Sequence, residues 1–435
     1  MIASWRLYLA LSVGVLFFLL MYADARFKDI GFVYDTILVL LIIADFAMTQ
    51  SRRLVSASRA VGDRLSIARQ NDVLIEVFNQ GSSELTMHVR DDYPVQLESD
   101  VREFNFELKG NAKAALNYNL FPRSRGAYHF GNINLRYLSR LGLFWREVKV
   151  KADRDVKVYS DLVALRELSV RLSHSTELGD LRMRKRGHGT DFASLREYVS
   201  GDDTRKVDWK ATARRGGPVV RMYEVEQEQT LMVLLDAGRM MVSDLEGISR
   251  FDHALNSALA LVLTGLHRND SVGFGVFADK PLLFMPPRRG KAYLTRILEA
   301  TCDLKPRMVE PDYQGALSFF ASAQKSRSLM VVLTDLTDPV GSQVLLQGLS
   351  SLAPRHLPFC VTLWDRQIEA VASLTELPDV ETVYRRAVAT DLISQRGLAF
   401  SQLQRRGCLV LDCPPQELSE KLVDRYLEIK QRGQL

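Results

Sequence analysis

Two long apolar runs close to the N-terminus constrain this chain more than any other feature. The first, Trp5 to Tyr22 (WRLYLALSVGVLFFLLMY), carries one charge, Arg6, at its edge. The second, Gly31 to Met48 (GFVYDTILVLLIIADFAM), carries Asp35 and Asp45 near its two ends. Each is 18 residues long, roughly 27 Å as an α-helix and close to the thickness of a bilayer core. Trp5, Tyr8, Tyr22 and Tyr34 lie near the ends, where amphipathic rings favour the membrane interface. No small-residue cleavage site separates the runs cleanly, so residues 1–50 read as a transmembrane hairpin rather than a signal peptide. Arg52, Arg53, Arg59 and Arg64 follow the second run, against Arg26 and Lys28 in the connector. The Lys/Arg excess assigns the long C-terminal part to the cytoplasm, and two spans return the N-terminus to that side. The expectation is a multi-pass protein of the inner (cytoplasmic) membrane with the lipid bilayer as its first partner.

The remainder divides by hydrophobic period. Between residues 51 and 160, short alternating runs such as Val73–Asn79, Leu85–Asp92 and Ile133–Ser139 are separated by Gly, Pro and Asn. That pattern predicts an all-β, sandwich-like domain. Residues 161–228 form a charged segment, with eleven Lys or Arg against five acids between Arg182 and Arg221. Over 229–435, apolar strands (Leu231–Asp236, Ser271–Ala278, Leu329–Asp335, Phe359–Trp364, Cys408–Cys413) alternate with helix-like stretches. The expected helices are Arg250–Leu266, Gly290–Thr301, Tyr313–Gln324, Gly341–Leu352, Asp391–Arg405 and Gln416–Gln431. Continuous apolar strands between amphipathic helices predict a doubly wound α/β domain on a parallel sheet.

Several chemistries are absent from this pattern. There is no GxxxxGK[ST] phosphate loop, no GxGxxG following a strand, no GxSxG elbow and no HExxH. The net charge of +5 is mild for 435 residues, and Tyr198 and Trp209, the aromatics interleaved with the basic stretch, are too few for a nucleic-acid stacking platform. Cys302, Cys360, Cys408 and Cys413 form no CxxC pair and read as buried, reduced thiols. Asp236 and Asp335 end two strands, where open parallel sheets bind ligands. With Thr334 they suit a hard cation such as Mg²⁺, or they cap the following turns.

Residues 189–226 read GTDFASLREYVSGDDTRKVDWKATARRGGPVVRMYEVE. This stretch closely resembles the signature of the domain of unknown function 58 family of bacterial membrane proteins. Gly189, Asp191 and Phe192 match its opening, and Leu195, Arg196 and Tyr198 its Leu-Arg-x-Tyr. Gly201, Asp202 and Arg205 follow, then Asp208 with Trp209, Ala213 with Arg214, Pro218 to Arg221, and Glu224 with Glu226. The resemblance implies two N-terminal spans, a β-rich region and an α/β domain similar to a von Willebrand factor type A domain. Such domains often carry a metal-ion-dependent adhesion site. Asp236 and Asp335 match its two aspartates, but its serine positions hold Gly238 and Met240, and Pro311-Asp312 stands where Thr-Asp would open a helix. The resemblance therefore implies a degenerate site, with Asp236, Asp335 and Asp312 as weak ligands at most.

The family is linked with MoxR-type AAA+ ATPases, which implies a protein partner of that type. The expectation is a membrane-anchored, non-enzymatic scaffold or adaptor without catalytic residues or an obligate cofactor. A metal-dependent ligand-binding module is the first alternative. A hydrolase using Asp191, Asp202, Asp203 and Asp208 with Lys210 is the second. Within the signature, Asp191, Arg196, Tyr198, Asp202, Asp208, Trp209, Arg214 and Arg221 are expected to form either a structural collar or a docking face. In the collar, Asp202 and Asp208 pair with arginines and the Trp209 ring is buried.

Overall fold

The computed structural model describes residues 2–20, 26–179, 186–187, 191–200, 202, 204, 207–224, 229–336, 339–375 and 379–432. The chain forms two compact units, Met1–Tyr159 and Ser160–Leu435.

The first unit opens with helices α1 (Trp5–Leu20) and α2 (Arg26–Met48). At 23 residues, α2 is long and apolar enough to cross a membrane, whereas α1 has 16. The second helix thus starts five residues earlier than its apolar run. Tyr22 lies outside the described residues. Leu9, Leu16, Val33, Leu40 and Ile43 point outward from these helices, exposed apolar surface of the kind that marks a contact with a protein or a membrane. The helices pack against each other through Phe17 and Tyr34, ring centroids 5.6 Å apart, and the Tyr34 hydroxyl donates to the Ala10 carbonyl.

The rest of this unit is β-structure in three sheets. One sheet orders Ile2–Ala3, Phe144–Val150, Ile133–Leu138, Leu85–Asp91 and Glu103–Leu108. A four-stranded sheet orders Val55–Val61, Asn71–Asn79, Ala112–Pro122 and Leu97–Ser99. The third joins Arg64–Ser66, Arg154–Tyr159 and Gly126–Phe130. Alternation decides which side is buried: Val73, Ile75 and Val77 enter the core from one strand, Leu85, Met87 and Val89 from another. Pairing is antiparallel except between Arg64–Ser66 and Arg154–Tyr159. A buried ion pair braces the core, with Arg59 Nη2 2.5 Å from Asp91 Oδ1 and the Tyr118 hydroxyl 2.5 Å from Asp91 Oδ2.

Helix α2 and the sheet are joined at Asp45, which is fully buried near the end of α2. Its carboxylate accepts from Ser139 Oγ (2.5 Å), Leu141 N (2.7 Å) and Leu143 N (3.3 Å) in the turn between Ile133–Leu138 and Phe144–Val150. Ser4 grips the same turn, its Oγ donating to the Gly142 carbonyl at 2.6 Å.

The second unit holds a six-stranded sheet of β1 (Thr230–Asp236), β2 (Ser271–Phe277), β3 (Pro281–Arg288), β4 (Leu329–Thr334), β5 (Leu357–Leu363) and β6 (Leu409–Cys413). Their spatial order is β3-β2-β1-β4-β5-β6. All neighbours are parallel except β2 and β3, so the sheet is mixed rather than wholly parallel. β3 follows β2 after a short turn, too short for the crossover that a parallel neighbour needs.

Helices α3 (Leu162–Gly179) and α4 (Trp209–Arg215) precede the sheet. Those interleaved with its strands are α5 (Arg250–His267), α6 (Ala292–Thr301), α7 (Tyr313–Ala323), α8 (Pro339–Leu352), α9 (Arg366–Ala372) and α10 (Val380–Arg405). The last, α11 (Pro415–Arg432), follows β6. α3, α4 and α9 escaped the periodicity reading, and α10 starts eleven residues earlier than expected. Asp379 caps α10 by accepting from Thr382 N at 2.7 Å, and the polar first turns that follow break the apolar period. α5 lies buried over the sheet; a Cβ at Gly265 would stand 2.9 Å from Val272 Cγ2, so glycine permits the close approach.

Candidate functional site

The carboxyl ends of β1 and β4 bring Asp236 and Asp335 together with Thr334. Asp236 is fully buried. Its Oδ1 accepts from Gly238 N at 2.7 Å, and its Oδ2 lies 2.6 Å from Thr334 Oγ1 and 2.9 Å from the Tyr313 hydroxyl. Tyr313 and Thr334 are themselves 2.9 Å apart. Both hydroxyls donate to the Asp236 carboxyl oxygen, and either can turn its proton to the other across their own contact. Burial pushes the Asp236 carboxyl above its ordinary range, and nearby Asp335 adds to this, while the Thr334, Gly238 and Tyr313 donors pull it back. Burial, then the Asp236 charge, raises Tyr313 well above a usual phenol, so it remains a donor.

A carboxyl raised in the fold binds its proton more tightly there than in the unfolded chain. Its stabilisation is complete below the ordinary carboxyl value, about 4, and is lost as pH rises through the raised folded value. Asp236→Asn, which does not titrate, should therefore flatten the loss of stability above about pH 4. Thermal melts of wild type and variant across pH test this; identical slopes would discount the raised Asp236 carboxyl.

Asp335 is held differently. Both of its oxygens meet guanidinium groups: Oδ2 accepts from Arg250 Nη1, and Oδ1 from Arg396 Nη1 at 2.8 Å. Leu336 N also donates to Oδ1 at 2.8 Å. Arg396 continues to Asp412, with Nη2 2.6 Å from Oδ1 and Nε 3.1 Å from Oδ2, and Nη2 donates to the Leu363 carbonyl at 2.8 Å. Arg250 approaches Asp365 at 3.7 Å. Two buried arginine side chains thus occupy the position from which a cation would meet Asp335. Asp312 caps α7, accepting from Gly315 N at 2.9 Å. Among the described residues no group of three His, Cys, Asp or Glu is placed to hold a metal ion.

The sequence reading singled out Asp236, Asp335 and Thr334 but not Arg250, Arg396, Tyr313 or Asp412. A signal did exist for Arg396. It shares one helical stripe with Ala389, Ala399 and Leu403, the other buried residues of α10, and a charge within an apolar stripe demands a buried partner.

The signature segment forms a separate small assembly. Asp191–Glu197 pairs antiparallel with Val219–Glu224, placing Asp191 opposite Glu224, Leu195 opposite Arg221 and Arg196 opposite Val220. Tyr198 N donates to the Pro218 carbonyl at 2.9 Å. Arg196 Nη2 meets Asp202 Oδ1 at 2.7 Å, and Asp202 Oδ2 accepts from Val199 N at 2.9 Å. Asp208 is the N-cap of α4, accepting from Lys210 N and Ala211 N at 3.0 Å. Gly216 ends that helix at φ 74°, in the left-handed region. The expected Asp202–arginine pair is present as Arg196–Asp202. The burial expected of Trp209 is not: its side chain is 72% exposed. At the first position of a capped two-turn helix, its ring projects outward beside Lys210, Ala213 and Arg214, also exposed. Asp203, Arg205 and Lys206 lie outside the described residues.

Residues 194–406 match the family described as "Protein of unknown function DUF58". The match takes in α4, the strand-end carboxylates and both buried arginines. An uncharacterized protein of Mycobacterium tuberculosis (strain ATCC 25618 / H37Rv) is 24% identical over 199 residues, 45% of this chain and 60% of its own length. Uncharacterized protein YeaD of Bacillus subtilis (strain 168) is 26% identical over 122 residues, 28% of this chain and 30% of its own. The chain thus spans about 60% of the length of the mycobacterial relative. Among solved structures, the conserved hypothetical protein BatB from Bacteroides thetaiotaomicron aligns over 41% of this chain and 98% of its own, at 14% identity and TM-score 0.26.

Proposed function

We propose that this protein is a membrane-anchored, non-enzymatic docking protein whose α4 face engages a protein partner, an AAA+ ATPase of MoxR type. In this reading α1 and α2 both span the inner membrane, the soluble units face the cytoplasm, and the α/β unit is a von Willebrand factor type A-like domain with a degenerate adhesion site. The exposed face of α4 carries the proposal. Trp and Arg are the residues most enriched among interface anchors, and here Trp209 and Arg214 stand on a helix fixed by the Asp208 cap. The arginines on Asp335 support the non-metal part of the reading, because a guanidinium neutralises the carboxylate that a cation would need.

Capture of a purified MoxR-type AAA+ ATPase by the full chain in nanodiscs tests the reading. Trp209→Ala should leave the melting temperature within about 1 °C, since an exposed side chain away from packing contributes little stability. Capture should weaken by about 30-fold, the effect of losing an anchor worth about 2 kcal/mol. A stable variant with undiminished capture would remove α4 from the interface. A clear drop in melting temperature would restore the collar instead.

A further inference from the structure

The outward face of α10 points to a second copy of this chain. The buried stripe of α10, from Ala389 to Leu403, fixes which side of the helix meets the body of its unit. On the other side Val380 (85% exposed), Val383, Ala387, Thr390, Ser394 and Gly397 all face solvent. Their separations run 3, 4, 3, 4, 3, the spacing of core positions in a coiled coil. A trough of about 490 Å³ runs along this face, lined by Val383, Arg386, Ala387, Thr390, Asp391 and Ser394. These are four consecutive seam positions and the two charged residues that flank them.

We propose that two copies of this chain associate through α10, helix beside parallel helix, about a two-fold axis running along the helices. Charge decides the partner and its direction. In a parallel pair, the residue flanking the seam on one helix meets the residue five places later on the other. Arg386 then meets Asp391 of the second copy, and symmetry makes the contact twice. The next such position sets Ile393 against Leu398, and Leu398 is exposed, so the flanks pair charge with charge and apolar with apolar. An antiparallel pair sets like flank against like flank and never brings Arg386 to Asp391. The small side chains at Ala387, Ser394 and Gly397 allow the two backbones to approach closely. This inference is independent of the α4 reading.

Cysteine cross-linking of the full chain in micelles tests it. The four native cysteines are buried, which keeps the background low. Ala387→Cys sits on the seam and should give a disulfide-linked dimer on mild oxidation. Arg385→Cys, exposed on another face of the helix, should not. Arg386→Asp or Asp391→Arg alone, placed in the Ala387→Cys chain, should cut the yield about fivefold, as loss of two symmetric ion pairs allows. The double reversal should restore it. Equal yields from Ala387→Cys and Arg385→Cys overturn the seam. Linkage of Ala387→Cys only to Thr390→Cys in a mixed sample overturns the parallel direction. Yields that depend on lipid but ignore both charge reversals make this face a membrane contact and overturn the dimer.

Discussion

Replacing Arg396 with alanine is expected to lower the stability of the α/β unit by about 3–5 kcal/mol, the usual cost of removing one partner from a buried ion pair. Arg396 is only 5% exposed and joins three elements: Asp335 beyond β4, the Leu363 carbonyl at the end of β5, and Asp412 in β6. Its removal leaves Asp335 with Arg250 and Leu336 N but strips Asp412 and the Leu363 carbonyl of this donor. Arg396→Met, which restores the apolar stem, should recover little, because the buried Asp335 carboxylate is left without that charge. Arg396→Lys should also rescue poorly, since one ammonium cannot reproduce a fork that reaches two carboxylates and a carbonyl. Amide exchange in β4 and β5 of the full chain in micelles reads the effect locally. A loss below about 1 kcal/mol would show that the arginine network is incidental to the sheet.

The second large effect is expected at Asp45. Alanine there leaves Ser139 Oγ, Leu141 N and Leu143 N without their acceptor, and buried donors left unmade cost about 1–3 kcal/mol each. Partial rehydration of the exposed turn recovers some of this, so a net loss of about 3 kcal/mol is expected. Arg140 lies within the turn and is exposed, which supplies a direct readout. Trypsin cleavage after Arg140 should quicken by roughly 100-fold if opening of the turn limits cutting. Asp45→Asn keeps one acceptor and should fall between the two. Unchanged cleavage in Asp45→Ala would mean that the carboxylate does not hold the hairpin, leaving Ser4 and strand pairing to do so.

Both effects depend on pairs that are distant in the chain. Local periodicity made the elements legible. Alternation marked Val73–Asn79 and Leu85–Asp92 as strands, and continuous apolar runs marked β1, β4 and β5. The helical spacing of Arg250–Leu266 was evident from its closely spaced apolar residues between Ala254 and Leu266. Side-chain period is a property of neighbouring residues, so no tertiary information was needed. The same logic failed at α10, where one face meets the body and the other is exposed, and at β3, an edge strand whose inward residues are only partly covered.

The site divides in the same way. Asp236, Asp335 and Asp312 were recognisable because strand ends and helix starts are local features. Their partners were not. Arg250 and Asp335 are 85 residues apart in sequence, Arg396 and Asp335 are 61 apart, and Asp45 and Ser139 are 94 apart. Only the order in which the strands assemble brings these groups within hydrogen-bonding distance. Trp209 shows the converse. Its apolar bulk suggested burial, but the Asp208 cap fixes the start of α4 and points the ring outward. The sequence by itself determined two apolar N-terminal runs, a β-rich region and an α/β region, since each follows from residue period and run length. The tertiary structure alone decided that arginines meet Asp335 and that the Trp209 ring faces solvent, because both depend on which surfaces the packed elements leave uncovered.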